Sequence, residues 1–134
     1  MTELMVDSNV LIDIFNKDSV WFDWSSSTIE RYAEQVRFTI NPIIYAEISA
    51  SFKKIEELED ALPESYFTKE PIPWEAAFLA AKVFIQYRKN GGKKDSNLPD
   101  FLIGAHAAVR GIPLITRDTK HYKTYYPHIE LISP

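Results

Sequence analysis

Short apolar runs that stop abruptly at polar residues, each followed by a helix-forming stretch, constrain this chain more than any other feature. Leu4-Met5-Val6 stops at Asp7, and Val36-Arg37-Phe38-Thr39-Ile40 alternates apolar and polar residues before Asn41-Pro42. Ile112-Pro113-Leu114-Ile115-Thr116 ends at Arg117-Asp118, and Ile129-Glu130-Leu131-Ile132 reads as an edge strand. Such runs have the length and spacing of strands rather than helices. Strands that alternate with helices imply an α/β fold, with a mostly parallel central sheet flanked by helices on both faces.

The stretches between these runs carry helix signals of differing clarity. Val10-Leu11-Ile12 with Ile14-Phe15 reads as a short helix or turn. Ser27-Thr28-Ile29-Glu30 has capping-box spacing, with a start nearer Trp21 as the alternative. Asn41-Pro42 is the clearest start, since Asn caps free N–H groups and Pro suits the first helical position. Ile44, Ile48, Phe52 and Ile55 then form one apolar stripe, with Glu47 at its rim. A short strand is expected around Ser65-Tyr66-Phe67. Ala76 to Tyr87 is amphipathic and ends at Asn90-Gly91-Gly92, after which Lys93 to Leu98 is a polar loop. Phe101 to Val109 is a small-residue helix closed by Gly111.

A length of 134 residues suits one domain spanning 1–134 with a proper core. The net charge of −4 gives no global footprint for nucleic acid, although a local patch could still hold a phosphate backbone. The absence of cysteine excludes disulfides and Cys-ligated zinc or iron–sulfur sites. No apolar run approaches the roughly 20 residues that cross a bilayer. No signal-peptide pattern opens the chain, so a cytoplasmic protein is expected.

Four acids sit where such a fold brings side chains together: Asp7 and Asp118 after strand ends, Glu47 and Asp100 in early helical turns. Carboxylates gathered closely repel one another unless a cation lies among them, which points to a divalent-metal site.

At these residues the chain resembles the PIN domain, the nuclease fold of VapC-type toxins in toxin–antitoxin pairs. Val6-Asp7-Ser8-Asn9-Val10-Leu11-Ile12 resembles the family's opening strand, Asp, hydroxyl residue, Asn and aliphatic run. Asn41-Pro42-Ile43-Ile44-Tyr45-Ala46-Glu47 resembles its second motif, and Pro99-Asp100-Phe101-Leu102-Ile103-Gly104-Ala105-His106-Ala107 its third. Leu114-Ile115-Thr116-Arg117-Asp118 completes the set, with the four acids spaced by 40, 53 and 18 residues. Each motif alone is weak; the ordered set is specific.

The resemblance implies a Mg²⁺- or Mn²⁺-dependent endoribonuclease. It implies Asp7 and Asp100 as direct ligands and Asp118 as a ligand acting directly or through water. Glu47 would position a water or bind a second metal. Ser8 and Thr116 would orient the carboxylates, and Asn9 would bond within the site or to a substrate phosphate. RNA substrate, a cognate antitoxin and a homodimer are the partners that it implies.

Other residues have plainer readings. Asp13 reads as a local cap or pair and Asp95 as a loop residue. His106, about 240° around the helix from Asp100, should face away from the site. His121 could meet substrate, but a surface position is the simpler reading. Arg88-Lys89 and Lys93-Lys94 could grip RNA phosphates. Trp21 and Trp24 read as packing residues or as an antitoxin-docking patch.

Two competing functions remain. A catalytically silent RNA- or protein-binding module on the same fold would not need four retained acids. A haloacid-dehalogenase-type phosphatase resembles Asp-x-Asp-x-Thr at its nucleophile, whereas Asp7-Ser8-Asn9 lacks the second Asp.

Overall fold

Leu4, Met5 and Val6 have no exposed surface, so the strand that they form is covered on both faces. A computed structural model describes residues 2–92 and 98–134. The expected loop from Lys93, including Lys93-Lys94 and Asp95, lies outside the described residues up to Asn97.

The chain order is β1 (Glu3–Val6), α1 (Ser8–Phe15), α2 (Phe22–Ala33), β2 (Arg37–Ile40), α3 (Pro42–Ser49) and α4 (Ile55–Asp60). It continues through β3 (Phe67–Lys69), α5 (Trp74–Lys89), α6 (Leu98–Arg110), β4 (Leu114–Ile115), α7 (Lys120–Tyr125) and β5 (Leu131–Ile132). The sheet has five strands in the order β3-β2-β1-β4-β5, and every pairing is parallel. The chain builds outward from β1 through β2 to β3, then returns to place β4 and β5 on the other side of β1. The β1/β4 boundary is therefore a topological switch point, the place where open α/β sheets form their binding crevice outside the carboxyl ends of the strands.

The α/β reading is what the structure shows, with differences of detail. Asn41 caps α3 as expected, its Oδ1 accepting the Ile44 N–H at 2.9 Å. The apolar stripe does not run on as one helix: α3 stops at Ser49, whose hydroxyl bonds back to the Tyr45 carbonyl at 2.6 Å. Phe52 then packs its ring 5.0 Å from Phe15, and Ile55 begins α4 with 63% of its surface exposed. The capping box at Ser27 is not used, because α2 already begins at Phe22. Asp18 supplies the turn before it by accepting the Val20 and Trp21 N–H groups. The third strand lies slightly later than expected, at Phe67–Lys69.

Gly104 matters for α6. A Cβ there would lie 2.5 Å from the Tyr126 ring, so only glycine lets that ring pack against the helix. The Tyr126 hydroxyl then donates to the Phe101 carbonyl at 2.7 Å, fixing the segment after α7 against the first turns of α6.

Candidate functional site

Asp7 follows β1 directly and occupies the N-cap position of α1. Its side chain does not cap that helix. It is 3% exposed, and three donors reach it: the Thr116 hydroxyl at 2.8 Å, the Tyr122 hydroxyl at 3.1 Å and the Asn9 amide at 3.4 Å. All three meet the same oxygen, Oδ2. Among the described residues none donates a hydrogen bond to Oδ1.

The acids surround this point. Burial raises the Asp7 pKa; the Thr116 and Tyr122 bonds pull it down, but the nearby Asp100 and Glu47 charges push it up, and it settles at about 6. Tyr122 registers the same concentration of charge. Burial raises its phenol well above the usual range, and Asp7, Asp100 and Asp118 raise it further. The switch-point topology thus gathers Asp7, Glu47, Asp100 and Asp118 about one crevice.

Each acid is held differently. Glu47, half-buried in the second turn of α3, accepts the Ser8 hydroxyl on Oε1 at 2.9 Å. Asp100 occupies the first turn of α6, where the helix dipole favours an ionised carboxylate. Asp118 is exposed, and its Oδ1 accepts the Lys120 N–H at 3.3 Å at the start of α7. Asn9 bonds inside the site, linking Asp7 to the Arg117 N–H, which its Oδ1 accepts at 3.4 Å.

Hard oxygen donors, an Asp7 oxygen that no described residue engages and mutual repulsion make this donor set fit a divalent cation. Among the described residues no three carboxylate or imidazole groups close into a preformed cage. An open arrangement suits Mg²⁺, which binds through one or two carboxylates and keeps several waters. Asp7 and Asp100 are the residues that would hold it.

Sequence reasoning missed Tyr122. Lys120–Tyr125 is a six-residue helix without an apolar period, and only folding brings Tyr122 back across the chain to Asp7. It also missed the reach of Asp13, expected to pair locally. Asp13 instead accepts a bidentate pair from Arg117, at 2.6 and 2.9 Å, together with the Ser25 hydroxyl at 2.7 Å. This pair ties α1 and α2 to the segment that carries Asp118.

The remaining candidates lie outside the acid cluster. His106 is fully buried and faces away, its Nε2 donating to Glu70 at 2.5 Å and its Nδ1 accepting from Asn41 at 3.0 Å. Asn41 uses its oxygen on α3, so its amide nitrogen faces the ring and sets that tautomer. His121 packs edge-on to Tyr87, with ring centroids 5.6 Å apart. Trp21 and Trp24 are half-buried and edge-to-face, and the Arg117 guanidinium lies 5.1 Å over the Trp21 ring.

The chain resembles solved structures across nearly its whole length. The VapBC2 complex of Rickettsia felis bound to a promoter DNA fragment matches with a TM-score of 0.76 at 21% identity, covering 99% of both chains. A Klebsiella pneumoniae toxin–antitoxin complex matches with a TM-score of 0.68 at 22% identity, over 96% of this chain and 95% of that one. VapBC-1 of nontypeable Haemophilus influenzae matches with a TM-score of 0.70 at 17% identity, over 98% of each. At such identities the likeness is one of fold. Among curated proteins none matches this sequence. The PIN domain family model matches residues 4–126, and with the switch-point crevice and its ordered acids in place, the chain belongs to the PIN domain family.

Proposed function

We propose that this chain is a Mg²⁺- or Mn²⁺-dependent endoribonuclease and the VapC-type toxin of a toxin–antitoxin pair, acting in the cytoplasm. The observation that carries the reading is Asp7: a buried carboxylate with one oxygen held by hydroxyls and amide, the other met by no donor among the described residues, and further carboxylates around it. A purely structural acid would be met by a cation. This one is met by more negative charge.

When bound, the divalent ion supplies positive charge that acidifies the attacking water and screens the phosphodiester. Thr116 and Tyr122 fix the Asp7 carboxylate through Oδ2 and so hold Oδ1 in one orientation. Ser8 fixes Glu47 through Oε1, holding that carboxylate to accept a proton from water or to orient it. Asp100, in the first turn of α6, brings a second carboxylate near Asp7. The hydroxyls that stand among the acids, those of Ser8, Thr116 and Tyr122, are spent on orienting the carboxylates, so the proposed reaction is hydrolysis by water without a covalent intermediate on the protein.

The structural relatives from Rickettsia, Klebsiella and Haemophilus are toxin–antitoxin complexes, which supports an antitoxin partner here. A homodimer is part of the proposal. Trp74 is 88% and Phe78 68% exposed on α5, with Ile85 also exposed, an apolar stripe that a second copy would cover. Antiparallel pairing of two α5 helices about the midpoint between Ala81 and Lys82 would set Phe78 against Ile85 across a two-fold axis.

The test is cleavage of RNA with Mg²⁺ or Mn²⁺ by the wild type, Asp7→Asn and Asp100→Asn. The proposal requires cleavage by the wild type and its loss in both variants. Undiminished cleavage by both would sink it and favour a silent binding module with a contaminating activity.

A further inference from the structure

Two acid-free, cation-bearing segments of this acidic protein adjoin its carboxylates. Residues 76–92 and 119–129 contain no acid, yet they carry Lys82, Arg88, Lys89, Lys120 and Lys123 in a chain of net charge −4. Arg88, Lys89, Lys120 and Lys123 are exposed, and no ion pair among the described residues engages them. Arg37, Lys69, Arg110 and Arg117 are by contrast committed to carboxylates, carbonyls or hydroxyls within the fold.

Hydrogen bonds and ring contacts join the two basic segments at the site. Lys120 is tied to Asp118 by its own N–H, and the next residues are His121 and Tyr122, the latter bonded to Asp7. Tyr87, just before Arg88, sets its ring 5.3 Å from Phe101, 5.6 Å from His121 and 5.7 Å from Tyr125. Phe101 follows Asp100 directly. The end of α5, the start of α6 and α7 therefore meet at one wall of the crevice, basic at its rim and aromatic within. Tyr87, His121 and Tyr125 are half-buried.

We propose that this wall is the entry path of single-stranded RNA. Resting on the ribonuclease reading, the inference assigns strand phosphates to Lys120, Lys123 and the Arg88-Lys89 pair, and an unstacked base to the ring of His121. Cations track a phosphate backbone, while aromatic faces accept bases only when these are splayed from a duplex. That combination selects single strands over double-stranded RNA or DNA.

The experiment measures binding of a short fluorescein-labelled unstructured RNA by anisotropy, in an Asp7→Asn background that keeps the RNA intact. Lys120→Ala/Lys123→Ala should weaken binding about tenfold and lower the salt dependence by about 1.4 in log–log slope, from two phosphate contacts on a single strand. His121→Ala should weaken it at least about fivefold, and His121→Phe should restore it, because stacking needs a ring. Arg31→Ala, in the last turn of α2 just before the amino end of β2, is the control and should change nothing. Equal effects of Arg31→Ala and the lysine pair, or duplex RNA binding as tightly as the single strand, would overturn the inference. If the wild type cuts RNA and the rim variants bind and cut as it does, this path is wrong and the ribonuclease reading stands. If the rim binds RNA in a wild type that cuts none, the path stands and that reading fails.

Discussion

Asp7 and Asp13 lie on the same segment, six residues apart, and are almost equally buried at 3% and 2% exposure. Their surroundings are opposite. Asp13 receives the Arg117 fork and the Ser25 hydroxyl, so its charge is paired and its oxygens are used. Asp7 receives hydroxyls and an amide on one oxygen only, and its nearest charges are carboxylates of its own sign. The fold has resolved the first acid and left the second unresolved. Buried charge that is fully paired serves architecture, whereas buried charge held in repulsion marks a site that expects something else. The His106–Glu70–Arg110–Glu3 chain follows the Asp13 pattern, with each carboxylate set against a cation or imidazole donor.

The largest effect should come from removing the unresolved charge. Asp7→Asn should lower kcat/KM for RNA by at least about a thousandfold, measured in single-turnover cleavage. Its melting temperature should hold or rise, since repulsion with Asp100 and Glu47 disappears. A variant that loses activity only because it unfolds would erase the contrast with Asp13.

Breaking the resolved pair should do the reverse. Arg117→Ala strands Asp13 as a buried, unpaired carboxylate and should cost about 3 kcal/mol in urea denaturation. Some loss of activity would follow through displacement of Asp118, with stability as the main casualty. A cost near zero would mean that Asp13 reaches water more easily than its burial implies.

A third effect follows from pH. The Asp7 pKa lies near 6 in the folded protein and near 3.8 when unfolded, so the folded state binds the proton more tightly. Stability of the metal-free protein should therefore rise as pH falls from above 6 towards 4, by up to about 3 kcal/mol. Compared with the wild type, Asp7→Asn should lack this component, and saturating Mn²⁺ should suppress it. Parallel stability profiles for wild type and Asp7→Asn between those pH values would contradict the assignment.

The smallest effect belongs to the hydroxyls around Asp7. Tyr122→Phe should weaken Mn²⁺ binding by about tenfold to a hundredfold through the freed carboxylate, while stability changes by about 1 kcal/mol. Unchanged metal affinity would make Tyr122 a packing residue alone.

Much of this was legible before folding because it is local. Asp7 at a strand end, Asn41-Pro42 at a helix start and Asp100 in a first turn are each defined by their immediate neighbours. Ser8 and Thr116 could be singled out because they stand beside or near acids in the same motif. The stripe from Ile44 to Ile55 was misleading because periodicity does not register a chain turn at Ser49 that lets Phe52 reach Phe15. Tyr122 and the Arg117–Asp13 pair were invisible for a different reason. Their partners lie 115 and 104 residues away, and no local pattern encodes which distant oxygen a hydroxyl or guanidinium will meet.

The most direct test of the account is a calorimetric titration of Mn²⁺ into the wild type, Asp7→Asn and Arg117→Ala. The account predicts saturable binding in the wild type, its loss in Asp7→Asn, and its survival in Arg117→Ala at temperatures where that variant is folded. Absence of binding in the wild type, or identical binding in Asp7→Asn, would contradict the claim that the unresolved carboxylate is a metal site.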